Sequence, residues 1–290
     1  MKKNIYLLAF LLSVALVAQT WAGSNRDDKK IIWLKSNYPP YYITQGPNAD
    51  KGIADRVEQL LREELVNYEH DSLVANWRRI LHEMKSGKNV VCLTFLKTPE
   101  REKFIEYSIL TSVKPTNGIF VRADDFRFKN STEISFKDLL NRKDIKVGIM
   151  HGRAYGKGID RLLKDKKDSE NIIVRTSADG VEGLIMLLTL KRLDAIVCYP
   201  HEGIIIAREH GVEDRIKFLK VVEQEPLNFS YSGAPKTEWG RKIIKEINRI
   251  YRKHDILRKT SIELEPYLDG NTVKWFRKEV ERLIKEKRTE

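Results

Sequence analysis

The stretch KTPEREKFIEYS, Lys97 to Ser108, directly follows the apolar run VVCLTFL. Six of its twelve residues are charged, so composition reads it as an exposed loop and helix start. It also places an arginine, Arg101, just past the end of a buried strand. One reading makes Arg101 a surface residue pairing Glu100 or Glu102. The other aims it at a ligand, because a planar guanidinium gives a carboxylate a bidentate, charge-assisted pair. The order of elements around the stretch decides between them.

Upstream, KIIWLKS reads as a strand ending near Ser36. GIADRVEQLLREELV carries Ile53, Val57, Leu60, Leu61 and Leu65 at helical spacing. A strand near DSLVA and a helix in WRRILHEMKSG, closed by Gly87, lead to the strand NVVCLTF. Residues 27–110 thus form a βαβαβ unit, which implies a mostly parallel sheet covered by helices. Downstream, NGIFVR is a strand, and the alternation restarts through IKVGIM, AYGKGIDRLLKD, NIIVRT, DGVEGLIMLLTLKR, LDAIVCY, HEGIIIAREHG and IKFLKVV. PLNFSYSGAP is then a single strand followed only by helices, so it is expected to return to the first unit. The expected fold class is α/β with two lobes, each a mixed sheet flanked by helices. Two hinge crossings, near 112–124 and 222–230, join them. Lobe 1 is residues 23–116 plus 226–290, and lobe 2 is 117–225. Ligands of such sheets bind beyond the carboxyl ends of the strands, here the cleft between the lobes.

Residues 1–22 are set apart. A basic MKKN, the apolar run IYLLAFLLSVALVA and the small residues of TWA before Gly23 have the pattern of a cleavable signal peptide. The run is shorter than the ~20 residues that span a bilayer. The expected location is therefore the periplasm. The chain has 53 basic and 41 acidic residues, and loss of Lys2 and Lys3 leaves a mature charge of +10. The basic residues are mixed with glutamates along RKIIKEINRIYRKH and WFRKEVERLIKEKR, which reads as solvated helix faces. With export, this makes no nucleic-acid partner the expectation. Cys92 and Cys198 end two apolar strands and read as free buried thiols. Neither CxxC nor HExxH occurs, so no metal and no cofactor is expected.

The succession of signal peptide, NYPPYY, KTPER…YS, crossing, KVGIMHGRAYG, RLDAIV, return strand and helices resembles the type II periplasmic solute-binding proteins. The extracellular family 3 group, binders of polar amino acids, is the nearest in pattern. The resemblance spans nearly all of residues 31–285. It implies that Arg101 pairs with a ligand carboxylate, that Tyr38 stacks on the ligand, and that Trp77 is a second aromatic wall. Pro39 and Pro40 would hold the Tyr38 loop rigid and extended, with Tyr41 and Tyr42 packing the lobe. Thr94 and Thr98 complete the first-lobe set. In the second lobe it assigns Gly152, Arg153 and Tyr155 of HGRAYG, with helix-start amides, and Tyr199. HGRAYGKG fails as a phosphate-binding P-loop on spacing and on its missing hydroxyl.

This sequence departs from the family where amino-acid binders carry an acid for the ligand's ammonium. Tyr199 stands there, Leu96 replaces a small hydroxyl residue, and Arg153 and Ala154 replace hydroxyl residues. A site with Arg101, Arg153, tyrosines and no acid suits an anion, an aromatic acid or a ligand without a free amine. The expected function is capture of a small anionic or amino-acid-like solute, delivered to an ABC permease or read by a membrane sensor, by a monomeric protein. The alternatives are an accessory or interaction protein with a degenerate pocket and, less favoured, a cleft enzyme of the dehydratase type. His151 is a single histidine beside a glycine loop, and no catalytic constellation accompanies it, so no enzymatic activity is expected.

Overall fold

Strand β1 (Lys30–Lys35) buries Ile31, Trp33 and Leu34 completely. A strand this apolar needs cover on both faces, and its neighbours supply it. The computed structural model describes residues 29–287 apart from 167–169, 178 and 269. The expected signal peptide, residues 1–22, lies outside the described residues. Helix α1 (Ile53–Glu64) leads to β2 (Glu69–Val74), and α2 (Trp77–Lys85) leads to β3 (Val90–Phe95). β1 pairs parallel with both strands, Lys30 opposite Glu69 and Ile32 opposite Val90.

The chain then makes the one-turn helix α3 (Pro99–Glu102) and a long strand β4 (Ile105–Pro115). The return strand β11 (Leu227–Pro235) inserts between β3 and β4 and is antiparallel to both, giving the order β2-β1-β3-β11-β4. That insertion explains why the sheet is mixed although residues 27–110 alone read as parallel. Helices α8 (Glu238–His254), α9 (Ile256–Leu264) and α10 (Gly270–Lys287) cover one face of this lobe. Ile243, Ile247, Ile250, Tyr251, Leu264 and Phe276 share one core with Trp33 and Val91. The lysines and arginines of α8 that alternate with these residues stay at the surface or near it.

The second lobe runs through β5 (Gly118–Arg122), β6 (Glu133–Ile134), α4 (Phe136–Asn141), β7 (Val147–Met150), α5 (Lys157–Asp165) and β8 (Ile172–Arg175). It continues with α6 (Gly180–Thr189), β9 (Ala195–Cys198), α7 (Pro200–Glu209) and β10 (Ile216–Val221). Its sheet has the order β6-β10-β5-β9-β7-β8. The observed fold is the expected α/β class, two mixed sheets flanked by helices. Two short crossings connect the sheets, from β4 to β5 and from β10 back to β11, and the Thr116 amide on one donates to the Pro226 carbonyl on the other at 3.1 Å. Cys92 and Cys198 are both buried and free, one in each sheet. Among the described residues, no helix is long and apolar enough to cross a membrane, and no three His, Cys, Asp or Glu residues are placed to hold a metal ion.

Candidate functional site

Lys97, Pro99, Glu100, Glu102 and Lys103 are exposed, as expected of a loop and helix start, but Arg101 is not on the surface: it is 6% exposed. Thr98 and Pro99 produce this local structure. The Thr98 hydroxyl accepts from the Arg101 amide at 3.3 Å as N-cap of α3, and Pro99 supplies a helix-ready φ at the first turn. The turn swings Arg101 inward. Its guanidinium lies over the rings of Phe95 and Trp77, 5.4 and 5.7 Å from their centroids. It donates to the Leu96 carbonyl at 3.1 Å and, across the cleft, to the Gly152 carbonyl at 2.8 Å. Among the described residues no carboxylate lies within ion-pair distance of it. Asp160 acts on it only through space, its carboxylate being occupied by the amides of Tyr155 and Gly156 at 2.8 and 3.2 Å.

The interlobe contact encloses a cavity of about 20 Å³ lined by Tyr38, Trp77, Thr94, Leu96, Arg101, Lys114, Arg153, Ala154 and Tyr199. That volume admits about one water molecule. Leu96, Arg101, Arg153 and Ala154 also line a groove of about 980 Å³ between the lobes, which opens outward past Lys157 and Arg161. A solute larger than water would fit this cavity only if the lobes parted.

Several expected contacts are already committed within the protein. Arg153 pairs in bidentate fashion with Glu202, and both side chains are nearly inaccessible. Burial works against the Arg153 charge, and Glu202 outweighs it, so its pKa is raised. Arg153 lines the cavity, as expected, but its charge is already balanced by Glu202, and among the described residues no acid lines the cavity. Glu202 stands in the first turn of α7, three residues beyond Tyr199, and holds Arg153 from outside the cavity lining. Tyr155 is 1% exposed and its hydroxyl accepts from the Met150 amide at 2.6 Å. Its carbonyl accepts from the side chains of Asn117, Gln224 and Asn228 at 2.9, 2.6 and 3.3 Å, so it ties lobe 2 to both crossings instead of facing the cavity. The amides expected to receive a ligand at the start of α5 are likewise taken, Gly158 donating to Gln224 at 3.1 Å. A Cβ at Gly158 would lie 1.9 Å from the Glu223 carbonyl oxygen, so only glycine allows this approach. Gly152, at φ +75°, makes the turn after β7, and its carbonyl, not an amide, faces Arg101. Thr98 caps α3 and lines the outer groove but not the cavity.

Tyr38, Trp77, Thr94 and Tyr199 do line the cavity with Arg101. The Tyr38 loop is a closed turn, not the extended segment expected from its prolines. Tyr38 and Tyr42 exchange backbone hydrogen bonds, each 2.9 Å. The turn stacks Tyr38 on Tyr41 at 5.1 Å and brings it within 5.7 Å of Tyr199 in the other lobe. Tyr199 accepts from Asn228 at 3.2 Å, and burial pushes its phenol up to about 12. His151 is exposed and outside the cavity lining.

Two residues at this site escaped the sequence reading. Lys114, 1% exposed, stands one residue before the end of β4 with its ammonium 4.1 Å from the Tyr41 ring centroid and 5.0 and 5.3 Å from those of Tyr38 and Tyr199. Among the described residues it donates one hydrogen bond, to the Tyr38 hydroxyl at 3.2 Å. Burial, then the charge of Arg153, lowers its pKa to about 7. His201, also 1% exposed, stacks on Tyr199 at 5.2 Å with neither ring nitrogen hydrogen-bonded. Burial first, then Lys114 and Arg153, push its pKa well below the ordinary value, so it is neutral. A signal for Lys114 was available: it is the only charged residue between Glu106 and Arg122.

Two lobes on mixed sheets, joined by two crossings with a cationic aromatic cleft between them, match solved structures over most of the chain. The fold is that of the type II periplasmic solute-binding proteins. An ancestral arginine-binding protein bound to arginine is 16% identical, with 83% of this chain and 99% of that one covered at a TM-score of 0.62. An amino acid ABC transporter substrate-binding protein from Streptococcus pneumoniae, bound to L-arginine, is 16% identical, with 82% and 94% covered at 0.64. A histidine kinase sensor domain with similarity to periplasmic binding proteins is 14% identical, with 82% and 96% covered at 0.64. At such identities the solute-binding-protein likeness is one of fold alone. No family model and no curated protein sequence matches the chain.

Proposed function

We propose that this chain is an exported, non-enzymatic solute receptor whose lobes close on a small anionic solute. The observation that carries the reading is Arg101. It is a buried guanidinium that faces the cleft and, among the described residues, is met only by neutral carbonyls and rings. A buried charge is ordinarily paired, and a solute carboxylate between Leu96 and Gly152 would complete this one. Because Arg153 is neutralised by Glu202, the lining keeps an excess of positive charge, which favours an anion over a zwitterion. Export is supported by the pattern of residues 1–22. The neighbouring folds include parts of transporters and of a sensor, so the captured solute would be handed to an ABC permease or reported to a membrane sensor.

A second reading, an interaction protein with a lost pocket, is favoured by the cavity volume of about 20 Å³. Thermal unfolding of the chain from Gly23 onward separates the two, run against amino acids, keto acids, aromatic acids, sugar acids and short peptides. An acid at a hundred times its Kd adds about 2.7 kcal/mol of stability, a shift of several degrees. The receptor reading expects that shift from an acid class and its loss in Arg101→Ala. A shift that survives in Arg101→Ala, or one given by amines and not acids, defeats it.

A further inference from the structure

We propose that Lys114 is a second anion anchor beside Arg101, so that the solute is a small doubly anionic acid without an amine. The inference rests on the anion-receptor reading above and deepens it.

The charge count of the cavity carries the argument. Three cations line it: Arg101, Lys114 and Arg153. Glu202 neutralises Arg153. Arg101 and Lys114 have no acid within ion-pair distance among the described residues. They arrive on different elements, the one-turn helix α3 and the end of β4, and the cavity wall joins them. Lysine is almost never fully buried unless paired. Among the described residues, the Lys114 ammonium meets only the Tyr38 hydroxyl and three ring faces. The rings attract a cation but contribute little beside a desolvated ion pair. An ammonium has three donors, so Lys114 retains donors for an anion.

The groups facing Lys114 do not supply that anion. Tyr38 and Tyr41 come from the turn after β1, and Tyr199 and His201 from the start of α7. Burial raises the pKa of all three phenols, so they are neutral, and His201 is neutral with both nitrogens unpartnered. Arg153 repels Lys114, and Glu202, held by Arg153, compensates only in part. A solute amine would meet Arg101 and Lys114 in a lining that, among the described residues, holds no acid, which disfavours amino acids. Arrival of a second anionic group would draw a proton onto Lys114, so binding of a dianion becomes linked to proton uptake near neutral pH.

The test is isothermal titration of the chain from Gly23 onward with malonate, succinate and glutarate, with propionate, butyrate and valerate as monoanionic counterparts, and with inorganic phosphate. It is run on the wild type, Lys114→Met and Arg101→Ala, each checked for cooperative unfolding. The expected result is a dicarboxylate or phosphate bound at least tenfold more tightly than any monocarboxylate. The affinity falls about tenfold per pH unit above pH 7.5. Lys114→Met loses the preference for dianions and the pH dependence. Preference for phosphate over every dicarboxylate assigns both anchors to one group, and the reverse assigns them to two. Equal affinity for mono- and dianions, retention of the preference in Lys114→Met, or no binding of any dianion overturns the proposal. If Lys114→Met keeps the preference while Arg101→Ala abolishes binding, the receptor reading stands and only Lys114 is misassigned. Dianion binding that depends on Lys114 and not on Arg101 keeps Lys114 as an anchor and overturns the role given to Arg101. Should Lys114→Met fail to unfold cooperatively, buffers of different ionisation enthalpy measure proton uptake on the wild type alone. Absence of uptake at pH 7.5 then counts against the proposal.

Discussion

Lys35 and Lys114 are both buried lysines of the first lobe, and the protein holds them in opposite ways. Lys35 ends β1 and meets Asp55 at 3.0 Å, Asp50 at 3.2 Å and Glu58 at 3.4 Å. Burial works against its charge, but Glu58 and Asp55 outweigh that, and its pKa is raised. Lys114 meets three tyrosine rings and one hydroxyl, and burial lowers its pKa to about 7. The first is a closed ion cluster that fastens β1 to α1. The second faces a cavity and has no acid within ion-pair distance among the described residues. Burial alone therefore does not mark a candidate binding cation; the proposal for Lys114 rests on burial without an acid, next to a cavity.

The comparison breaks most visibly under substitution. Lys35→Met leaves Asp55 and Glu58 buried, Glu58 still paired with Arg62 at 2.8 Å. It is expected to destabilise the protein by about 3–5 kcal/mol in urea denaturation. Lys114→Met removes a buried charge that, among the described residues, no acid pairs, and is expected to be neutral or stabilising in the same measurement. If the two substitutions cost the same, the contrast fails.

The next effect is on pH, and the signs differ. The unfolded Lys114 titrates near its ordinary value of 10.5 and the folded one near 7. Between those values only the unfolded state holds the proton, so native stability rises with pH. Below about 7 both states are protonated and the cost of burying the charge is complete. The Lys114 contribution amounts to about 1.4 kcal/mol per pH unit inside the window. Lys35, with its raised folded pKa, contributes stability that is complete below its unfolded value and is lost as pH rises through the folded one. Denaturation of the wild type and Lys114→Met from pH 7 to 10 should show the slope difference. Parallel curves would refute the low folded pKa of Lys114.

The smallest expected effect concerns how Arg101 is aimed. Thr98→Ala removes the cap of α3 and should cost about 1 kcal/mol or less. It should also weaken anion binding, because the turn that carries Arg101 inward loses its anchor. Unchanged affinity would mean that packing against Trp77 and Phe95 orients the guanidinium without the cap.

Much of the fold was legible because helix and strand periods alternate cleanly, and because a lone strand followed by helices has one plausible destination. The mixed sheets were expected, but the place of the return strand was less legible, since strand direction within the first unit says nothing of what inserts between β3 and β4. Arg101, Tyr38, Trp77 and Tyr199 were legible from motif position. Lys114 was not, since it belongs to no motif and stands alone at the end of a strand. The pairing of Arg153 with Glu202 was not legible, since nothing in the spacing of the two shows that the first turn of α7 brings Glu202 against the loop after β7. Tyr155 was misread for a related reason. A sequence shows which groups can reach a cleft but not which are already spent on each other, as Arg153 is on Glu202.

The measurement that bears most directly on the account is calorimetric titration, at pH 6.5, of the acid giving the largest thermal shift into wild type and Arg101→Ala. The account predicts one site per chain and a loss of affinity of about a hundredfold or more in Arg101→Ala, the scale of removing one partner of a buried charge pair. Equal affinity in the two proteins, or tighter binding of a zwitterionic amino acid than of any acid, would contradict it.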